Sequence, residues 1–223
     1  MIPPQTLPPL HQQQLQNLIA EFENNQHMQI LPGRRFGLDI AGAVEIVRPI
    51  IDNVLGTGTW RVAGGNFFET ETGYRVHADT GQEGADQVWQ TFVFPLRQEL
   101  RDDIPVHLER NRFLVLNQTW SGPAAFFLHG ENTEPNEYNI VVRDYWTEGV
   151  GNLDEPGTID GVLLEHCPHL NMKNLYGLTV DQHFTWTPGV PMTFPRNRLH
   201  VSSAFPRNGI RRKLGLSIFT SRI

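Results

Sequence analysis

The segment GYRVHADTG, residues 73–81, sets His77 and Asp79 two positions apart in a run that otherwise reads as a strand. Strand residues i and i+2 project to one face, with their Cα atoms roughly 6–7 Å apart. An imidazole and a carboxylate at that spacing reach a common metal ion at bonds of about 2.1 Å. The bland alternative is a solvated strand edge, since H-x-D arises often by chance. Three other pairings compete on spacing alone: His129 with Glu131, His166 with His169 around Cys167-Pro168, and Asp181 with His183. No second Cys or His pair stands at zinc-finger spacing from the HCPH run, so that run reads as structural.

The far end of the chain separates these candidates. Pro188-Gly189 and Phe194 lead to His200, and an Asn208-Gly209 turn leads to Arg211 and Arg212. A second histidine joined to His77 and Asp79 makes the two-histidine, one-carboxylate set that suits non-haem Fe(II). In this order the chain resembles the Fe(II)/2-oxoglutarate-dependent dioxygenase superfamily. That pattern is H-x-D on an early strand, a distal His after P-G-x-x-x-x-F, and an Arg beyond it. Tyr74 adds the Y-x-x-H-x-D entry of prolyl-hydroxylase-like members, and the resemblance spans about residues 59–220.

The resemblance implies a double-stranded β-helix, a cupin-like jelly-roll barrel, in which His77, Asp79 and His200 hold Fe(II). It implies 2-oxoglutarate and O2 as co-substrates, ascorbate as a candidate reductant, and release of succinate and CO2. The far carboxylate of 2-oxoglutarate needs a cation, and Arg suits it by paired, charge-assisted contact. Arg212 shares a strand face with Leu214, Leu216 and Ile218, whereas Arg211 shares one with Lys213, Gly215 and Ser217. The apolar face is expected to point into the barrel, which favours Arg212 over Arg211. The chain also departs from the family. Neither arginine has a Ser or Thr two places later, and Phe67 stands where prolyl-hydroxylase-like members carry a tyrosine. Asp79 retains the acid that halogenating relatives lack, so hydroxylation or another hydrogen abstraction is expected. The expected substrate is a small molecule resembling an amino acid or natural product. A protein side chain, as in prolyl hydroxylation, is the alternative within the family. A 2-oxoglutarate-independent cupin-like metalloenzyme and a non-enzymatic jelly-roll ligand-binding module are the alternatives outside it.

The elements that must position these residues follow from periodicity. Residues 10–24 place Leu15, Leu18, Ile19 and Phe22 on one face of an amphipathic helix, and residues 38–55 predict a second helix interrupted by Pro49. HMQIL is a short strand. Beyond Gly56, runs rich in Val, Phe and Trp predict some eight or nine strands, among them 88–97, 111–120, 124–131 and 136–146. Residues 98–112 and the loop-rich 147–176 are the candidate inserts, the latter a candidate lid with one helical turn near VLLEH. No linker or repeat divides the chain. The expectation is one α+β domain over 1–223: helical support over 1–58, then a jelly-roll core over 59–220, with the helices packed on one sheet.

Composition sets limits. A net charge of −6 argues against a broad phosphate-binding surface and hence against nucleic acid as partner. No apolar run approaches the roughly 18 residues of a membrane span. The N-terminus has neither the basic nor the apolar region of a signal peptide, and the lone Cys167 fits a reducing compartment, so a cytoplasmic location is expected. Oligomeric state is not legible.

Overall fold

In a computed structural model of the chain, residues 2–31, 33–79, 87–120, 126–127, 158–170 and 172–223 are described. The Leu-Phe stripe forms helix α1 (Gln12–Glu23), and the side chain of Gln14 accepts a hydrogen bond from the His11 N–H at 3.0 Å. Helix α2 (Ala41–Leu55) runs through Pro49, which lies on its exposed face while Val44, Val47, Ile51 and Leu55 are buried.

Both helices cover one face of a seven-stranded sheet. Its order is β1 (Gln5–Thr6), β10 (Met192–Pro195), β6 (Val88–Leu100), β12 (Ile210–Arg222), β4 (Trp60–Thr70), β3 (Arg34–Gly37) and β2 (His27–Leu31). The long strands β6, β12 and β4 make its centre, all antiparallel. Under the helices lie Phe67, Phe92, Phe94, Leu96, Leu214, Leu216 and Ile218, buried together with Leu18, Phe22, Val47 and Ile51.

A five-stranded sheet faces it, ordered β8 (Phe126–Phe127), β5 (His77–Ala78), β11 (Arg198–Ser202), β7 (Arg112–Thr119) and β9 (Val180–Thr185). Its outer face is covered by the short helix α3 (Gly161–His166) and by Leu175 and Leu178. Between the sheets, Val93, Phe113, Val115, Phe184, Trp186, Met192 and Phe194 form the barrel interior. The α+β jelly roll with helices on one sheet is therefore the observed architecture. The helical turn expected near VLLEH is α3. Strand β3 and the two-residue β1 were too short to read from periodicity. Of the strands expected over 124–131 and 136–146, only β8 lies within the described residues. His129, Glu131 and the first part of the 147–176 insert lie outside them. Among the described residues, no helix is long and apolar enough to cross a membrane.

Candidate metal centre

Antiparallel pairing of β5 with β11 sets His200 directly opposite His77. Residues remote in sequence thereby become neighbours on one sheet face, with ring centroids 4.0 Å apart. Asp79 follows β5, and its N–H donates to the Arg196 carbonyl at 3.2 Å. Its carboxylate closes the group: Oδ1 lies 3.7 Å from His77 Nε2 and Oδ2 lies 3.4 Å from His200 Nε2. One ligand atom from each of the three lies within 4.8 Å of the others. Among the described residues, no other set of three His, Cys, Asp or Glu side chains gathers in this way.

Hydrogen bonding orients both imidazoles alike. His77 Nδ1 lies 3.0 Å from the Arg75 carbonyl, and His200 Nδ1 lies 3.0 Å from the Arg198 carbonyl. A carbonyl only accepts, so Nδ1 carries the proton in each ring and Nε2 keeps its lone pair toward Asp79. Metal-binding histidines are commonly fixed in this manner. The His200 ring is further held by Phe194 at 4.7 Å and Phe113 at 5.3 Å between centroids, and the Tyr74 ring meets His77 edge-on at 4.7 Å. Two neutral imidazole nitrogens and one carboxylate are a donor set that fits Fe(II).

Burial, followed by the adjacent His200, holds the His77 imidazole well below the usual histidine value. The unfolded chain takes up this proton near pH 6.5, whereas the folded chain does so only at lower pH. The unfolded state then binds more protons, so metal-free protein loses stability as pH falls below about 6.5. Denaturant midpoints of metal-free protein should drop between about pH 7 and pH 5, and less steeply in His77→Gln. An identical slope in the variant would show that His77 is not one of the groups responsible.

Neither a protein-family model nor a curated protein matches the sequence. Solved structures do match. An oxidoreductase of the 2OG-Fe(II) oxygenase family from Burkholderia pseudomallei aligns at TM-score 0.51 and 10% identity, over 98% of this chain and 84% of that one. SnoN, a non-heme alpha ketoglutarate dependent epimerase from nogalamycin biosynthesis, aligns at TM-score 0.52 and 12% identity, over 98% and 78%. HygX from Streptomyces hygroscopicus, solved with nickel, 2-oxoglutarate and hygromycin B, aligns at TM-score 0.52 and 9% identity, over 98% and 82%. The fold is that of the 2OG-Fe(II) oxygenases.

Within this oxygenase fold Arg212, expected to reach the interior, does not, and neither does the alternative, Arg211. Arg211 is exposed. Arg212 lies near the start of the central strand β12, where its Nη2 donates to Glu71 Oε1 at 2.5 Å and its Nη1 stands 3.9 Å from both Glu69 and Glu99. Its strand-mates Leu214, Leu216 and Ile218 pack under α1 and α2, so the apolar face of β12 is the outer one. The shared face was read correctly, and its direction was inverted. The side chain of Lys213 points inward instead. It is 2% exposed, with Nζ 4.2 Å from the Phe205 ring centroid and 4.9 Å from that of Trp186. Among the described residues, neither Lys213 Nζ nor Trp186 Nε1 has a hydrogen-bond partner. Burial drives the Lys213 ammonium well below the ordinary lysine range. Gly215 lets the Phe68 and Trp186 rings pack directly on this face, because a Cβ there would stand 2.5 Å from Phe68 and 2.8 Å from Trp186.

The competing histidine pairs are accounted for differently. His166 ends α3 and is buried, and burial alone pushes the neighbouring Cys167 thiol up to about 12. His169 Nε2 lies 3.3 Å from the Tyr74 carbonyl. Asp181 pairs with Arg198, and His183 is exposed on β9. Sequence reasoning missed Lys213 and Thr91. The one signal for Lys213 was the glycine two places on, on the same face.

Proposed function

We propose that the protein is a non-haem Fe(II)- and 2-oxoglutarate-dependent oxygenase that oxidises an unactivated C–H bond of a small molecule. The observation that carries this reading is the convergence of His77 Nε2, His200 Nε2 and the Asp79 carboxylate within one ligand shell. These three would hold the metal. Bound Fe(II), with 2-oxoglutarate and O2, would supply the oxidising chemistry and release succinate and CO2.

The chain's own residues do the rest. The two Nδ1–H bonds fix the imidazoles, so the ligand atoms are set before metal arrives. Among the described residues, Lys213 and Trp186 are buried, unpartnered donors suited to the far carboxylate of 2-oxoglutarate, a role the sequence had suggested for Arg212 or Arg211. A carboxylate beside Lys213 would favour its charged form and remove the cost of a lone buried cation. Phe113, Phe194 and Trp186 line the interior with apolar surface that excludes water. Hydroxylation is the favoured outcome because Asp79 is intact, although an epimerase shares the fold. A natural-product-like substrate is supported by the neighbours solved with hygromycin B and with nogalamycin RO.

Anaerobic addition of Fe(II) and then 2-oxoglutarate should give a weak visible charge-transfer band, and admission of air should release succinate. Failure to take up about one iron per chain would overturn the reading. So would an unchanged band in His77→Ala.

A further inference from the structure

Asp79 is not held by its own strand. Strand β5 has only two residues, His77 and Ala78, and ends before the carboxylate. Three contacts from elsewhere fix it instead. The Arg196 Nε–H donates to the Asp79 carbonyl at 2.6 Å, and the Asp79 N–H returns a bond to the Arg196 carbonyl at 3.2 Å. These fix the backbone. The side chain is fixed by Thr91 on β6, whose hydroxyl donates to Asp79 Oδ2 at 2.9 Å.

Thr91 is placed to do this and little else. It is fully buried, and it faces the barrel interior from the large sheet, opposite the sheet that carries the two histidines. Its carbonyl accepts from Thr193 Oγ1 at 2.9 Å, which ties β6 to β10 at this point. A carboxylate is acceptor-only, so the hydroxyl proton must point at Oδ2. That bond sets the rotation of the carboxylate about its Cβ–Cγ axis.

We infer that Thr91 is a positioning residue for Asp79, holding the carboxylate so that it offers a metal one oxygen rather than two. The inference rests on the metal-centre reading above. Three protein atoms fill half of an octahedral shell. A carboxylate free to turn and chelate would take a fourth place, one that the co-substrates need. Outer partners of this kind typically matter by 10- to 100-fold in metal affinity or activity.

The test uses the full chain, stripped of metal and titrated anaerobically with Co(II), whose visible absorption intensity reports coordination number. Thr91→Val removes the hydroxyl at nearly constant shape and should weaken Co(II) affinity by about 10- to 100-fold while changing band intensity. Thr91→Ser keeps the hydroxyl and should restore both affinity and spectrum. Thr91→Ala is a second hydroxyl-free variant should the valine not fold. A purely structural role for Thr91 would lower the melting temperature without altering the spectrum. Wild-type Co(II) affinity and spectrum in a folded hydroxyl-free variant overturn the inference. Absence of Co(II) and Fe(II) binding in the wild-type chain instead overturns the metal-centre reading.

Discussion

Lys213→Met should make the protein more stable and nearly unable to saturate with 2-oxoglutarate. The wild-type ammonium is buried against Phe205 and Trp186, and no described residue hydrogen-bonds it. Leaving such a group unsatisfied costs about 1–3 kcal/mol. In a chain of this size each kcal/mol shifts the melting temperature by roughly 2–4 °C. The sign with pH is fixed. The unfolded lysine keeps its proton up to about pH 10.4, and the folded one gives it up at lower pH. Between those values the unfolded state binds more protons, so wild-type stability rises with pH and falls again as pH is lowered. The methionine variant should lose that slope. On the functional side, loss of a charged hydrogen bond worth about 1.5–3 kcal/mol should raise KM for 2-oxoglutarate by roughly 10- to 150-fold. Arg212→Met is the control. Its guanidinium already serves Glu71, and KM should not move. A shift in KM for Arg212→Met but not for Lys213→Met would return the anchoring role to the arginine.

His200→Ala should abolish stoichiometric iron uptake and also weaken the fold, a combination the other histidine candidates should not show. His200 is 2% exposed and packed against the Phe113 and Phe194 rings. Truncating a buried side chain of this size costs about 2–5 kcal/mol, and removal of a ligand should cost more than the roughly 10- to 100-fold in affinity that an outer partner costs. His183→Ala on exposed β9 and His169→Ala beside Tyr74 should retain about one iron per chain after anaerobic reconstitution. Iron content by mass spectrometry and thermal melts on all three variants decide the matter. If His183→Ala or His169→Ala loses as much iron as His200→Ala, the ligand set is wrongly drawn.

The two helices, the long strands and the triad were legible in the sequence, each for a local reason. Leu15, Leu18, Ile19 and Phe22 repeat at helical spacing, and His77 and Asp79 stand two apart beside a strand. The order of HAD, PG, Phe194 and His200 then singled out this pair over HGE and HCPH. In the fold that order becomes a place, because β5 pairs with β11 at those two histidines.

The anchor was not legible, and β12 shows why. A period of two determines that Arg212, Leu214, Leu216 and Ile218 share one face and that Lys213 and Gly215 share the other. It does not determine which face is inside. Here α1 and α2 cover the outer face, so both faces are buried and the more apolar one belongs to the helix interface. Thr91 and Arg196 were hidden for a related reason. Their importance lies in contacts with residues far away in sequence, and no local spacing encodes a hydrogen bond from β6 to the end of β5. Residue types and order determined by themselves what chemistry this chain could hold. Only the packing of two sheets and two helices decided which cation lies inside with no hydrogen-bond partner among the described residues and which hydroxyl meets the carboxylate.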